Sequence, residues 1–395
     1  MLTSNLRKIV FLGTFPPREC GLANFANDLV TALKQSVPKI KTQVVAVNRG
    51  DYAYEKPVVH VIEQDERSAY ADLAQRLNDT DADAVMIEHE YGIYGGECGE
   101  YLLDFIHKLE IPYFVTCHTV LPDPNPKQRS VLSEVLAHAT GIVTMSDRSA
   151  QLVVEQYGAI PEKIRKIHHG VPRVVIAGKD ELKKKYSCQD RTVISTFGLL
   201  GPGKGLEYAI ESMQYVVQEF PDVLYLVLGQ THPNIIKEQG EVYREKLVGM
   251  VARLGLEKNI RFINRYLATE EIIEYLGATD VYLTPYPGKN QAVSGTLAFA
   301  LAYGKVIVTT PYQYAEEMVA NGYGYLTPFN NSVEMANNIS NVLRNPEEML
   351  MVEKRNLLRG EDFMWDNVAK EYAGMISEKV TARGKSGWPR LLVNL

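Results

Sequence analysis

The chain has 395 residues, 46% apolar and 23% charged, the balance of a soluble globular protein; at one domain per roughly 150 residues it accommodates two or three domains. A formal net charge of −6, with no basic run longer than Lys183-Lys184-Lys185, excludes a large nucleic-acid footprint, which needs clustered Lys and Arg. No stretch approaches the ~18 apolar residues of a membrane helix, and Cys20, Cys98, Cys117 and Cys188 lack a CxxC pair or metal-ligand spacing, which predicts reduced thiols and a cytoplasmic protein.

Arg7-Lys8 before Ile9-Val10-Phe11-Leu12 has the look of a signal sequence, but the apolar run stops at Gly13 and reads as a first strand. From there to His169, β-branched runs alternate with amphipathic segments. The predicted strands are Ile9–Gly13, Val44–Asn48, Val58–Ile62, Ala84–Glu88, Tyr113–Cys117, Gly141–Met145 and Ile164–His168. The stretch Val171–Arg191, with Pro172, Gly178 and dense charge, loses the pattern and marks a domain boundary; the Lys183–Lys185 run within it reads as a solvated helix face. From Thr192 the same alternation restarts, with strands at Val193–Phe197, Val223–Leu228, Ile260–Ile263, Val281–Leu283, Val306–Thr309 and Tyr323–Leu326. After Ser332 the chain is helical to about Lys379, its last helix opening near Trp365. The expected fold class is α/β: two Rossmann-like, doubly wound parallel-sheet domains facing a central cleft, where ligands are favoured.

Within this frame Val281–Pro311 is a βαβ unit whose helix is capped by Ser294, opens through Gly295 and Thr296 and stops at Gly304. It is either a phosphate site at a helix start or a plain structural crossover. Gly198 through Gly205 follows a strand and comes within one residue of GxxxxGK[ST]; with Gly at 205 the Mg²⁺-binding hydroxyl is missing, so a P-loop is discounted. What remains is a Gly-rich turn with Lys204 near a helix start, suited to a diphosphate. In the first half, the turn after the first strand carries Arg18 and Gly21; Arg18 is either a ligand contact or a partner of Glu19 or Glu90. The fourth strand ends in Glu88-His89-Glu90-Tyr91 and the fifth in His118-Thr119, at the edge where function concentrates. A zinc site from His89, His118 and Glu90 lacks a recognised spacing, and Asp81-Ala82-Asp83 sits at the wrong edge of the sheet. His168-His169 reads as a hinge.

The order of these motifs resembles the GT-B glycosyltransferases, specifically the retaining family 4. Its markers here are the early Pro-Pro-x-x-x-Gly turn, Val115–His118, Ser146, Ile167–Val171, Phe197–Gly205, Leu228-Gly229, Thr284-Pro285-Tyr286, Ala300–Ile307 and Phe363-Met364-Trp365. The resemblance implies an acceptor-side domain over 1–172 completed by a closing helix about 364–395, and a donor domain over 173–363. It implies transfer of a hexose from a nucleoside diphosphate sugar to a carbohydrate or other hydroxyl acceptor, with retention and with no metal or cofactor. Lys204 matches the donor-diphosphate lysine, His118 the histidine beside the transferred sugar, and Gly21 the glycine turn near the phosphates. Gly198 and Gly295 belong to the same donor-binding turns, and Arg18, Glu90 and Tyr91 fall on the acceptor side. Three positions depart from the family. Leu199 replaces an arginine, and an ungapped alignment puts the two family glutamates on Asn290 and Ala298. Asn290 still hydrogen-bonds a sugar hydroxyl, whereas Ala298 cannot bind a ribose diol. Arg265, Ser294, Thr296 and Glu317 are the candidates to supply what is missing. This set marks a subgroup of the family. A glycoside phosphorylase on the same fold and a noncatalytic sugar- or nucleotide-binding module are the rival readings; oligomeric state is not legible.

Overall fold

The computed structural model describes residues 6–385, which form two compact units: residues 6–170 with 365–385, and Val171–Met364. The predicted boundary after residue 172 thus lies two residues past the observed break, and residues 386–395 of the expected closing helix lie outside the described residues.

In the first unit seven strands, β1 (Lys8–Gly13), β2 (Lys41–Asn48), β3 (Val58–Glu63), β4 (Ala84–His89), β5 (Tyr113–Cys117), β6 (Gly141–Thr144) and β7 (Ile164–Lys166), form one parallel sheet in the order β3-β2-β1-β4-β5-β6-β7. The central strands read as apolar runs because helices cover both faces; β4, β5 and β6 are buried at every position, whereas the edge strands β3 and β7 are not. The Trp365–Lys385 helix belongs to this unit. The Trp365 ring packs at 5.1 Å from Phe25 on the Gly21–Ser36 helix, and a Cβ at residue 170 would stand only 2.1 Å from the indole, so Gly170 is required there. Further along, the Tyr372 hydroxyl meets Thr116 Oγ1 of β5 at 3.2 Å. His169, half-buried and next to the break between the units, joins this packing at 5.2 Å from Phe25.

The second unit has six parallel strands, β8 (Thr192–Phe197), β9 (Val223–Leu228), β10 (Ile260–Ile263), β11 (Val281–Thr284), β12 (Val306–Thr309) and β13 (Tyr325–Leu326), in the order β10-β9-β8-β11-β12-β13. The last strand is shorter than expected because Asn321 (φ 58°) and Gly322 (φ 83°) turn the chain just before it. The lysine run is the expected solvated helix face at Lys184 and Lys185, both exposed. It lies on a Lys179–Lys185 helix, and Lys183 is drawn in by Asp280 at 2.7 Å, which Lys179 also grips at 2.8 Å. The long C-terminal helical stretch is three helices, Ser332–Arg344, Pro346–Gly360 and Trp365–Lys385, divided at Asn345-Pro346 and around Met364.

In each sheet the strand order reverses once, at β1/β4 in the first unit and at β8/β11 in the second. Open parallel sheets bind ligands outside the strand carboxyl ends at such switch points. The loops after β1 and β4, and those after β8 and β11, are therefore the places to look.

Candidate functional site

At the β8/β11 switch point the chain leaves β8 through Gly198 (φ +129°), whose amide donates to Leu228 O at 3.0 Å. A one-turn segment, Pro202–Lys204, then presents Lys204 and ends at Gly205 (φ +61°). A Cβ on residue 205 would lie 2.1 Å from the Pro285 carbonyl. The hydroxyl residue of a P-loop is excluded there by the backbone of the neighbouring loop as well as by the left-handed conformation.

This close approach brings Lys204 to the loop after β11. Its Nζ donates to the Tyr286 hydroxyl at 3.0 Å and stands 4.5 Å from the ring centre. Tyr286 is buried and stacks on Tyr312, centroids 5.0 Å apart. Its hydroxyl lies 3.1 Å from Thr296 Oγ1, which lies 3.2 Å from Ser294 Oγ. Ser294 caps the Gly295–Ala302 helix by accepting from the Leu297 amide at 3.3 Å. Burial pushes the Tyr286 phenol up, but the Lys204 ammonium and the bonds from Lys204, Thr296 and Ser294 outweigh it and hold the phenol below its ordinary value. Lys204, Ser294, Gly295 and Thr296 are thus brought together, as one cation, two hydroxyls and the amides of a first helical turn. Tyr286, the residue joining them, was quoted from sequence as a marker of the resemblance and given no role. Its signal was its position directly after a buried strand end.

Arg265 follows the edge strand β10, with β9 between it and β8, which puts its strand roughly 10 Å from Lys204's. There it is exposed and paired with Glu271, 2.7 Å from Nη1. Glu317 is half-buried on the Gln313–Val319 helix after β12. Asn290 is exposed in a turn whose neighbours are pinned to that helix: Gln313 N donates to Lys289 O and Tyr314 N to Gln291 O. Ala298 is fully buried in the Gly295–Ala302 helix.

In the first unit, the loop after β1 enters the Gly21–Ser36 helix through Cys20, whose Sγ accepts from the Ala23 amide at 3.4 Å. Gly21 has neither a left-handed φ nor a neighbour within 4 Å of a Cβ. Among the described residues, nothing requires glycine there. Arg18 pairs with neither Glu19 nor Glu90; its guanidinium donates to Val47 O at 3.2 Å and Gln64 Oε1 at 3.3 Å, toward the β2 side of the sheet.

Across the β4 and β5 ends, His118 Nε2 is 2.8 Å from Glu88 Oε2, and the imidazole lies edge-on to Phe25 at 4.7 Å. Glu88 is fully buried, and its Oε1 has no protein partner among the described residues. A carboxylate in a wholly buried strand needs a polar partner, and here it fixes the ring that projects from the next strand. Sequence reasoning quoted Glu88 without giving it a role. The signal was an acid inside the otherwise apolar strand AVMIEH. Glu90 accepts from the Thr119 hydroxyl and from the Tyr91 amide. Tyr91 is tied inward, its hydroxyl 3.1 Å from that of Tyr157. His89 is buried against Tyr91 and Tyr94, and burial, with His118 nearby, lowers it to about 4, a neutral core histidine. Zinc held by His89, His118 and Glu90 has no support: among the described residues, the group whose ligand atoms converge is a different one.

Two family models match the chain: Glycosyltransferase Family 4 over residues 21–173 and Glycosyl transferases group 1 over residues 178–357. A glycosyltransferase of Haemophilus influenzae is 23% identical over 196 residues, 49% of this chain and 51% of the relative. A 2-deoxystreptamine glucosyltransferase of Streptomyces kanamyceticus is 23% identical over 285 residues, 67% of this chain and 68% of the relative. The chain thus spans about half the length of the first and about two thirds of the second. Among solved structures, Anabaena Alr3699/HepE in complex with UDP superposes with a TM-score of 0.76 at 18% identity, covering 94% of this chain and 100% of that one; the two share a fold. Among the described residues, no helix is long and apolar enough to cross a membrane.

Proposed function

Because the chain belongs to the GT-B glycosyltransferases of family 4, group 1, we propose that it moves a hexose from a nucleoside diphosphate sugar to a carbohydrate or other hydroxyl acceptor, with retention of configuration and without a metal. The observation that carries this reading is the Lys204 ammonium, held by Tyr286 beside the hydroxyls and amides that open the Gly295–Ala302 helix. One full positive charge and one helix start at a single point of the sheet edge suit a diphosphate. The Anabaena neighbour binds UDP and the Streptomyces relative is a glucosyltransferase, which makes UDP-hexoses the first donors to test.

In this reading the sugar–diphosphate bond loosens first and negative charge collects on the leaving oxygen. Lys204 and the first-turn amides stabilise that charge more in the transition state than in the ground state. The acceptor hydroxyl attacks the face that the diphosphate leaves, its proton passing to the departing diphosphate. His118 positions the sugar. With Nε2 committed to Glu88, Nδ1 is the ring nitrogen left to accept from a sugar hydroxyl. At Gly21 a ligand's approach supplies the reason for glycine that the chain itself does not.

The test is turnover of a panel of nucleoside diphosphate hexoses with an acceptor library, read by mass shift, with the anomeric configuration of the product read by NMR. Retained configuration and a rate unchanged by chelator are expected. An inverted product overturns the stereochemical part, and loss of rate on chelation overturns metal independence. One observation keeps a second reading open: Ala298, buried and without a polar atom, offers a ribose nothing. Strict dependence on inorganic phosphate, with no turnover of any nucleotide sugar, selects a glycoside phosphorylase. Binding of a donor without hydrolysis or transfer selects a noncatalytic module.

A further inference from the structure

At the ends of two helices in the first unit, three metal-ligating side chains converge. His107 caps the Tyr101–Ile106 helix, while Glu134 and His138 lie one turn apart on the same face of the Pro126–His138 helix. His107 Nε2 is 2.8 Å and His138 Nε2 3.3 Å from the same Glu134 oxygen, and one ligand atom from each residue lies within 4.8 Å of the others. Around a tetrahedral zinc with bonds of ~2.0–2.1 Å, ligand atoms stand about 3.4 Å apart. Small rotations of these side chains reach that spacing. Their exposures, 49% for His107, 41% for Glu134 and 59% for His138, leave the fourth position to water.

We propose that His107, Glu134 and His138 form a three-ligand site for a borderline transition cation such as zinc, which clips the two helices together. Two imidazoles and one carboxylate are the donors such a cation prefers to magnesium or calcium. The two helices lead into the amino ends of β5 and β6, the sheet edge opposite the one that carries Gly21 and His118. The cation therefore acts on stability and takes no part in transfer chemistry. Sequence spacing did not reveal the site because His107 and Glu134 are 27 residues apart and meet only through the packing of neighbouring helices.

The full chain, freed of metal by chelation, is titrated with zinc chloride by calorimetry while its melting temperature is followed. One ion per chain and a rise in melting temperature are expected. His107→Gln and His138→Gln should each weaken zinc at least about ten-fold, the loss that even outer-shell changes produce, with little change in melting temperature when metal-free, since exposed ion pairs contribute little. Cobalt substituted for zinc should show no thiolate charge-transfer band. Equal zinc affinity in wild type and both variants, or a thiolate band pointing to the cysteines, overturns the proposal.

Discussion

The Lys204 ammonium stands 3.0 Å from the Tyr286 hydroxyl and 4.5 Å from the centre of its ring, and it forms no ion pair among the described residues. Most lysines that are held in place here are held by a carboxylate, as Lys183 is by Asp280. A phenol and a ring face fix the position of the charge without neutralising it. The full charge is left for an anionic ligand, which is what the leaving diphosphate of a glycosyl donor requires.

Lys204→Ala is expected to cost ~2–4 kcal/mol of transition-state stabilisation, the range for removing one preorganised charge or donor. The measurement is kcat/KM for transfer, converted at 1.36 kcal/mol per ten-fold. Near-normal turnover in this variant sinks the assignment.

Tyr286→Phe keeps the stack on Tyr312 and removes the hydroxyl between Lys204 and Thr296. Urea unfolding should show a loss of about 0.5–1.5 kcal/mol, and donor affinity should fall less than in Lys204→Ala. Because Lys204 is the foremost of the groups that oppose burial at this phenol, Tyr286 in Lys204→Ala should ionise at higher pH than in wild type. Alkaline difference spectra against the Phe variant follow that one tyrosine.

Glycine positions separate ligand effects from folding effects. Gly205→Ala meets the Pro285 carbonyl in a left-handed conformation and should lose at least about 1–2 kcal/mol of stability. Gly21→Ala meets nothing in the chain and should unfold like wild type, yet lose activity or donor affinity. If Gly21→Ala is as active as wild type, no ligand approaches that turn.

Glu88→Gln preserves volume but removes the charge that orients His118. The expected fall in kcat/KM is about 10–100-fold, from the roughly 1.5–3 kcal/mol of a charge-assisted hydrogen bond, with the chain still folded by circular dichroism. Unchanged kinetics would show that His118 needs no anchoring.

Acid should weaken the first unit through His89, which is buried, and His169, which is half-buried. Burial lowers both His89 and His169 from 6.5 to about 4, so below 6.5 the unfolded chain binds protons that the folded one refuses. Their contribution is complete above pH 6.5 and is lost as pH falls toward 4, on the order of 3 kcal/mol for the fully buried His89 at 1.36 kcal/mol per pH unit and less for the half-exposed His169. Unfolding free energy measured across this range should slope accordingly, and His89→Gln should reduce the slope by about one proton. A flat profile contradicts the buried, neutral state.

The alternation of apolar runs was enough to place all thirteen strands, and the central ones, buried on both faces, carry no competing pattern. Lys204, Ser294, Gly295 and Thr296 were legible for a similar reason: each follows a strand at the edge where ligands bind. Tyr286 and Glu88 were not, since a tyrosine and a glutamate acquire their roles only from residues across the sheet, Lys204 and His118. Arg18 stood out for its charge, Arg265 as a stand-in for a missing family residue, and Tyr91 for its place at the end of a strand. Tertiary partners engage all three: Gln64, Glu271 and Tyr157.

Calorimetric titration of the full chain with a panel of nucleoside diphosphate sugars, beginning with UDP-glucose, tests the central claim most directly when run in parallel on wild type and a folded Lys204→Ala variant. At least one donor should saturate a single site, and its affinity should fall about ten-fold or more in the variant, 1.4 kcal/mol or greater. No binding by any donor, or equal binding by the two proteins, contradicts it.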